Sequence, residues 1–159
     1  MIRSQYRAPD GALHTNLTPE DLTAATRERG GSLWLDLDSE PPQACEPLLH
    51  DVFGFHPLAV EDALAQTHVP RVDDWGDYLY LVLHAVSVAG ANSGQELRLE
   101  SLEPEDLEVT TLELDLFLGA NYLVTHHMQP MPALEELWTA CQRDERHLQR
   151  GAAHLAYEV

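Results

Sequence analysis

Residues 56–64 read HPLAVEDAL and place two adjacent carboxylates, Glu61 and Asp62, towards the C-terminal end of a short apolar segment. With about 100° between successive helical residues, Ala59, Val60, Ala63 and Leu64 share one side, and Leu58 and Asp62 share the other. Asp62 therefore points away from the apolar stripe. The helix macrodipole favours acids in the first turn and disfavours them in the last, so the pair calls for a compensating cation or for water. Two chemistries follow. One is an ion pair with Arg71 across the following loop, a surface contact worth about 0–1 kcal/mol. The other is coordination of a hard divalent cation: Mg2+ keeps most of its waters and accepts one or two carboxylates, so one acid here and another on a neighbouring chain suffice. On the residues alone the ion pair is the stronger reading, because clustered acids often belong to structural networks.

Other constellations are weaker. DLDSE at residues 36–40 spaces acids as a calcium loop does, but Pro41 stands where such a loop needs Gly and no Glu closes it, so a strand ending in a turn is expected. His126 and His127 end a strand, where alternation sends the rings to opposite faces and rules against a shared metal. The 9 His residues are scattered, without HxH or HxxxH spacing. GxSxG, HExxH, GxGxxG, a P-loop and a Cys-His pairing are all absent, so no catalytic residue is assigned and no enzyme is expected. The acids from Glu96 to Asp115 read as a solvated face.

Composition narrows the partners. The chain of 159 residues has 27 acids against 9 basic residues, all Arg, for a formal charge of -18. Nucleic acid and anionic membrane surfaces are poor partners, whereas cations and basic surfaces suit it. The longest apolar run, YLYLVLHAVSVAGA, is too short to cross about 30 Å of hydrocarbon. MIRSQYRAPDG lacks the apolar core of a secretory signal, which predicts a cytosolic start. Cys45 and Cys141 fall on apolar positions without CxxC spacing and read as reduced core residues.

The elements that must position these groups follow from periodicity. Residues 1–7 form a first strand, closed by the turn signal APDG. Thr18 caps a helix that has Pro19 in its first turn and stops before Gly30 and Gly31. SLWLDLD alternates and predicts a half-buried strand, with Leu33, Leu35 and Leu37 on one face. Apolar spacing over residues 41–53 predicts one amphipathic helix, and Pro57 starts the short helix that carries Glu61 and Asp62. DYLYLVLHAVSV is apolar on both faces, as a central strand covered by helices would be. LEVTTLELDLFL and YLVTHH pair about the turn LGAN, and Leu134, Leu137, Trp138, Cys141 and Leu148 mark a further helix. GAAHLAYEV begins another helix that stops mid-pattern at Val159. The expected fold is α/β, a three-layer α/β/α unit with a mixed parallel and antiparallel sheet over residues 1–150, followed by the start of a truncated helix over 151–159.

WLDLDSEPPQ, FGFHPLAVEDAL, VPRVDDWGDYLYLVLHAV, LFLGANYLVTHH and GAAHLAYEV, in that order, resemble the N-terminal cytoplasmic domain of the CorA magnesium and cobalt transporters. The resemblance covers nearly the whole chain. It implies an α/β/α domain leading into a long stalk helix and two transmembrane helices, with five chains around one pore. It also implies that Asp62, with Glu61 beside it acting through water, contributes to a regulatory Mg2+ site between protomers, Co2+ being a second candidate and Zn2+ a third. The remaining acids would come from a neighbour's stalk and from beyond Val159, so this chain would hold half a site.

On that reading the chain is the cytosolic cation-sensing domain of a homopentamer at the inner face of the cell membrane, reaching the membrane only through helices it lacks. Bound Mg2+ would favour the closed pore. The isolated domain would be a monomer or a weak dimer. Two other readings stay open: a domain of a ZntB-like zinc transporter, and a stand-alone soluble cation-binding or interaction domain.

Overall fold

Alternating apolar residues along the chain assemble into one seven-stranded sheet in a computed structural model that describes residues 1–65, 69–90 and 107–159. The strands are β1 Ile2–Arg7, β2 Leu13–Thr15, β3 Ser32–Asp38, β4 Arg71–Asp74, β5 Tyr78–Gly90, β6 Leu107–Gly119 and β7 Tyr122–His127. Their order is β2-β1-β3-β7-β6-β5-β4. β3 and β7 run parallel, with Leu35 opposite Val124, and every other pair is antiparallel, so the sheet is mixed as expected.

Helices cover both faces. On one side α1 (Pro19–Arg27), α2 (Pro42–Pro47) and α3 (Pro57–Ala65) bury Leu22, Cys45, Ala59 and Val60 against Leu33, Leu35, Leu37 and Phe117. On the other, α4 (Pro132–Arg143), α5 (Arg146–Gln149) and α6 (Ala152–Glu158) bury Leu134, Trp138, Leu148 and Leu155 against Trp34, Leu116 and Leu123. Three layers result because the inner strands are apolar on both faces. β3 is therefore fully buried instead of half-buried: Trp34 is as inaccessible as Leu35 and meets Trp138 with ring centroids 4.9 Å apart.

Several elements differ from expectation. β5 is not central: it lies one strand from the edge, covered by β4, and Leu83 and Val86 are exposed beyond the helical layers. Apolar alternation cannot distinguish a strand buried along its length from one buried over half of it. The helix expected over residues 41–53 ends at Pro47 and continues as a π-helical turn, Leu48–Val52, because proline supplies no N–H to the ladder. The helix expected to reach Leu148 breaks at Asp144, whose carboxylate accepts from the Arg146 backbone N–H at 3.0 Å and so starts α5. Thr18 caps α1 as expected, its Oγ1 accepting from the Asp21 N–H at 3.3 Å.

Cys45 and Cys141 are free and buried, as expected. Burial pushes the Cys45 thiol up to about 11 and the Cys141 thiol up to about 12, so neither is a thiolate near neutral pH. The acidic stretch from Glu96 lies largely outside the described residues, but its last member corrects the expectation of a solvated face. Asp115 is buried and accepts from the Tyr80 hydroxyl at 2.6 Å.

Candidate cation site on the third helix

Pro57 opens α3, and Leu58 N–H donates to His56 Nδ1 at 3.2 Å, a side-chain cap for the first turn. The buried stripe is Ala59, Val60 and Ala63, which leaves Asp62 on the solvent side with 41% of its side chain exposed. The Arg71 guanidinium, at the start of β4, donates through Nη2 to the Asp62 carboxylate and through Nε to Asp73 Oδ2 at 2.8 Å. It also lies 5.6 Å from the Tyr80 ring centroid. The hydrogen bond to Asp73 and the two carboxylate charges outweigh desolvation and raise the Arg71 pKa. The salt bridge expected from the residues alone is therefore present.

Glu61 turns the other way. It lines a groove between α2, the π-helical turn and α3, whose rim carries Glu46, His50 and Asp51. Adjacent in sequence, Glu61 and Asp62 thus address different surroundings. Asp62 meets a guanidinium, and Glu61 joins a rim with two further acids. The helix thus presents two carboxylates to different surroundings and no complete protein cage for an ion.

The other sequence candidates are structural. His126 and His127 do point to opposite faces: His126 Nδ1 is 3.5 Å from Asp115 Oδ2, and His127 Nε2 is 3.2 Å from Asp36 Oδ1. Asp36 also accepts from Arg3 Nε at 2.9 Å and from Thr125 Oγ1 at 2.5 Å, and it is fully buried. Burial disfavours the Asp36 carboxylate, but the bonds from His127 and Thr125 and the charges of His127 and Arg3 prevail and hold its pKa below the usual range. His127 faces acceptors on both nitrogens, the Gln129 carbonyl at 2.7 Å and Asp36, and satisfying both takes two N–H groups. Its pKa is raised accordingly, against the desolvation that opposes the imidazolium.

One grouping was missed. His147, His154 and Glu158 bring a ligand atom each within 4.8 Å of one another, although they lack HxH or HxxxH spacing. His154 and Glu158 stand one helical turn apart, which was readable; the approach of His147 depends on the turn between α5 and α6, which was not.

Residues 29–159 match the family described as CorA-like Mg2+ transporter protein. The chain belongs to this family. It is 30% identical over 127 residues to YfjQ of Bacillus subtilis strain 168, named as a candidate metal ion transporter, covering 79% of this chain and 34% of that protein. It is 26% identical over 147 residues to C17A12.14 of Schizosaccharomyces pombe, named in the same way, covering 92% of this chain and 21% of that protein. The chain thus spans about a third or less of the curated relatives it matches. The soluble domain of CorA from Methanocaldococcus jannaschii superposes with a TM-score of 0.66 at 17% identity, over 99% of this chain and 53% of that one. Full-length CmaX gives 0.61 at 21% identity, over 98% and 42%. These two show that the CorA-like chain shares their fold. No helix among its described residues is long and apolar enough to cross a membrane.

Proposed function

We propose that this CorA-like chain is the cytosolic, cation-sensing domain of a pentameric Mg2+ and Co2+ channel, and that Asp62 contributes to a divalent-cation site between protomers. The observation that carries this reading is the placement of Asp62: partly exposed, off the core stripe of α3, and neutralised by the half-buried Arg71 guanidinium, which another cation can replace. Glu61 faces the neighbouring groove and would contribute only through water.

The mechanism rests on charge. Five copies carry five times -18, or -90 formally, and carboxylates about 4 Å apart repel by about 4 kcal/mol at an effective dielectric near 20. Between two copies Arg71 can neutralise the Asp62 of its own chain but adds no link to a neighbour's acid. A bound Mg2+ supplies two positive charges, enough to serve a carboxylate from each copy. If the symmetric closed arrangement brings those carboxylates together, occupancy favours closure and loss of the ion favours opening, a population shift set by differential affinity. The full-length assembly, digested with protease across a Mg2+ titration, tests this. Protection of the segment following residue 159 should rise with Mg2+ in the parent and not in Asp62→Ala; equal protection in both would refute the assignment.

A further inference from the structure

Away from α3, the turn between α5 and α6 gathers a different donor set. Gly151 joins the two helices with φ +90, a conformation that favours glycine, and folds α6 back beside α5. Glu158 then lies between two imidazoles: His147 Nδ1 is 2.8 Å from its Oε2, and His154 Nε2 is 3.2 Å from its Oε1. All three side chains are between 24% and 29% exposed, so the cluster is sheltered but open to ions. Ligand atoms about 2.0–2.2 Å from a tetrahedral Zn2+ stand roughly 3.3 Å apart, and the three donor atoms here lie within 4.8 Å of one another, so small side-chain rotations would close them on an ion.

His154 Nε2 supplies the second observation. Arg150 Nη1 approaches the same atom to 3.1 Å. A bare Nε2 accepts from Arg150 but then confronts the Glu158 oxygen with a lone pair; a protonated Nε2 donates to Glu158 but opposes the Arg150 N–H. Arg150 and Glu158 thus compete for one nitrogen, and a cation lying between Nε2 and the carboxylate would take the Arg150 N–H's place, the flexible guanidinium turning out to solvent. Two imidazole nitrogens and one carboxylate, with a fourth position left to water, are the donors of a borderline-soft divalent ion; Mg2+ prefers oxygen throughout.

We propose that His147, His154 and Glu158 form a site for a late first-row divalent cation of the Zn2+ class that discriminates against Mg2+. This site is separate from Asp62 and does not depend on the sensing role assigned there. The test uses the untagged 159-residue chain titrated with Zn2+ by calorimetry and with Co2+ by visible absorption. One ion per chain should bind at this site, with the intense d–d bands of a low-coordinate Co2+ complex that Zn2+ abolishes and millimolar Mg2+ leaves unchanged. Loss of a group that merely hydrogen-bonds a ligand costs about 10–100-fold in metal affinity, so loss of a ligand itself, in His154→Ala or His147→Ala, should weaken binding at least about tenfold. His154→Gln serves if the alanine variant loses its far-UV circular dichroism. Asp62→Asn should not change the binding, and Arg150→Gln should tighten it by removing the competing donor. Absence of Zn2+ binding, equal binding in the parent and the His154 variants, or displacement of Co2+ by Mg2+ would overturn the proposal.

Discussion

Asp62 shares its carboxylate with Arg71, whose Nε is already committed to Asp73, so the guanidinium is anchored and competes with any cation that approaches. Arg71→Ala should therefore cost about 1 kcal/mol in urea unfolding, the upper end for a surface pair, because the guanidinium is half-buried and also holds Asp73. In the assembled protein the same substitution should lower the Mg2+ concentration that gives half-maximal protease protection; an unchanged or higher midpoint would speak against competition at Asp62. The buried carboxylate behaves differently. Asp36→Asn leaves Arg3 with Glu135 alone and His127 with the more distant Asp38, so the cost should approach the lower end of the about 3–5 kcal/mol for breaking a buried pair. The folded pKa of Asp36 lies below its ordinary 3.8, so its contribution is present above that value and is lost as pH falls through the depressed one. That of His127 lies above its ordinary 6.5, so its contribution is complete below 6.5 and is lost as pH rises through the raised one. Urea midpoints across pH should thus show this pair stabilising most between these two limits, and Asp36→Asn should flatten both flanks. An unaltered pH profile in the variant would contradict the assignment.

At the scale of elements, what was legible depended on whether the signal was local. Thr18 with Pro19 announced α1, the 100° steps placed Asp62 opposite the core stripe, and the pairing with Arg71 followed from closeness in sequence. The mixed sheet followed from helices interleaved with strands and a closing hairpin. Hidden features were those decided by distant partners. SLWLDLD looked half-buried because its alternate positions are Trp and Asp, yet Trp34 meets Trp138 and Asp36 meets Arg3 from β1 and His127 from β7. The edge strand β4, RVDD, has a single apolar residue to mark it and becomes a strand by pairing with β5. The approach of His147 to His154 depends on one φ value at Gly151. Tight turns also yield a prediction for stability. A Cβ on Gly119 would fall 2.2 Å from the Tyr122 ring, which itself packs edge-on against Phe53 with centroids 5.2 Å apart. Gly119→Ala should cost about 1–3 kcal/mol through overpacking, seen as a lower thermal midpoint; an unchanged midpoint would show that the ring moves freely.

For the whole molecule the governing quantity is charge. At -18 per chain, copies repel one another unless cations or further contacts intervene, so the isolated 159-residue chain should scatter light as a monomer or a weak dimer at micromolar concentration. A stable pentamer under those conditions would mean that the α/β/α unit carries its own assembly interface. The proposed sensing role requires the opposite division of labour: contacts outside this chain assemble the copies, and cations between the copies then adjust the arrangement. The most direct test is the Mg2+ binding isotherm of the full-length assembly, counted per protomer, for the parent, Asp62→Ala and Glu61→Ala. Asp62→Ala should remove one class of Mg2+ from the isotherm, while Glu61→Ala should only weaken it. Identical isotherms for the parent and Asp62→Ala would contradict the sensing role.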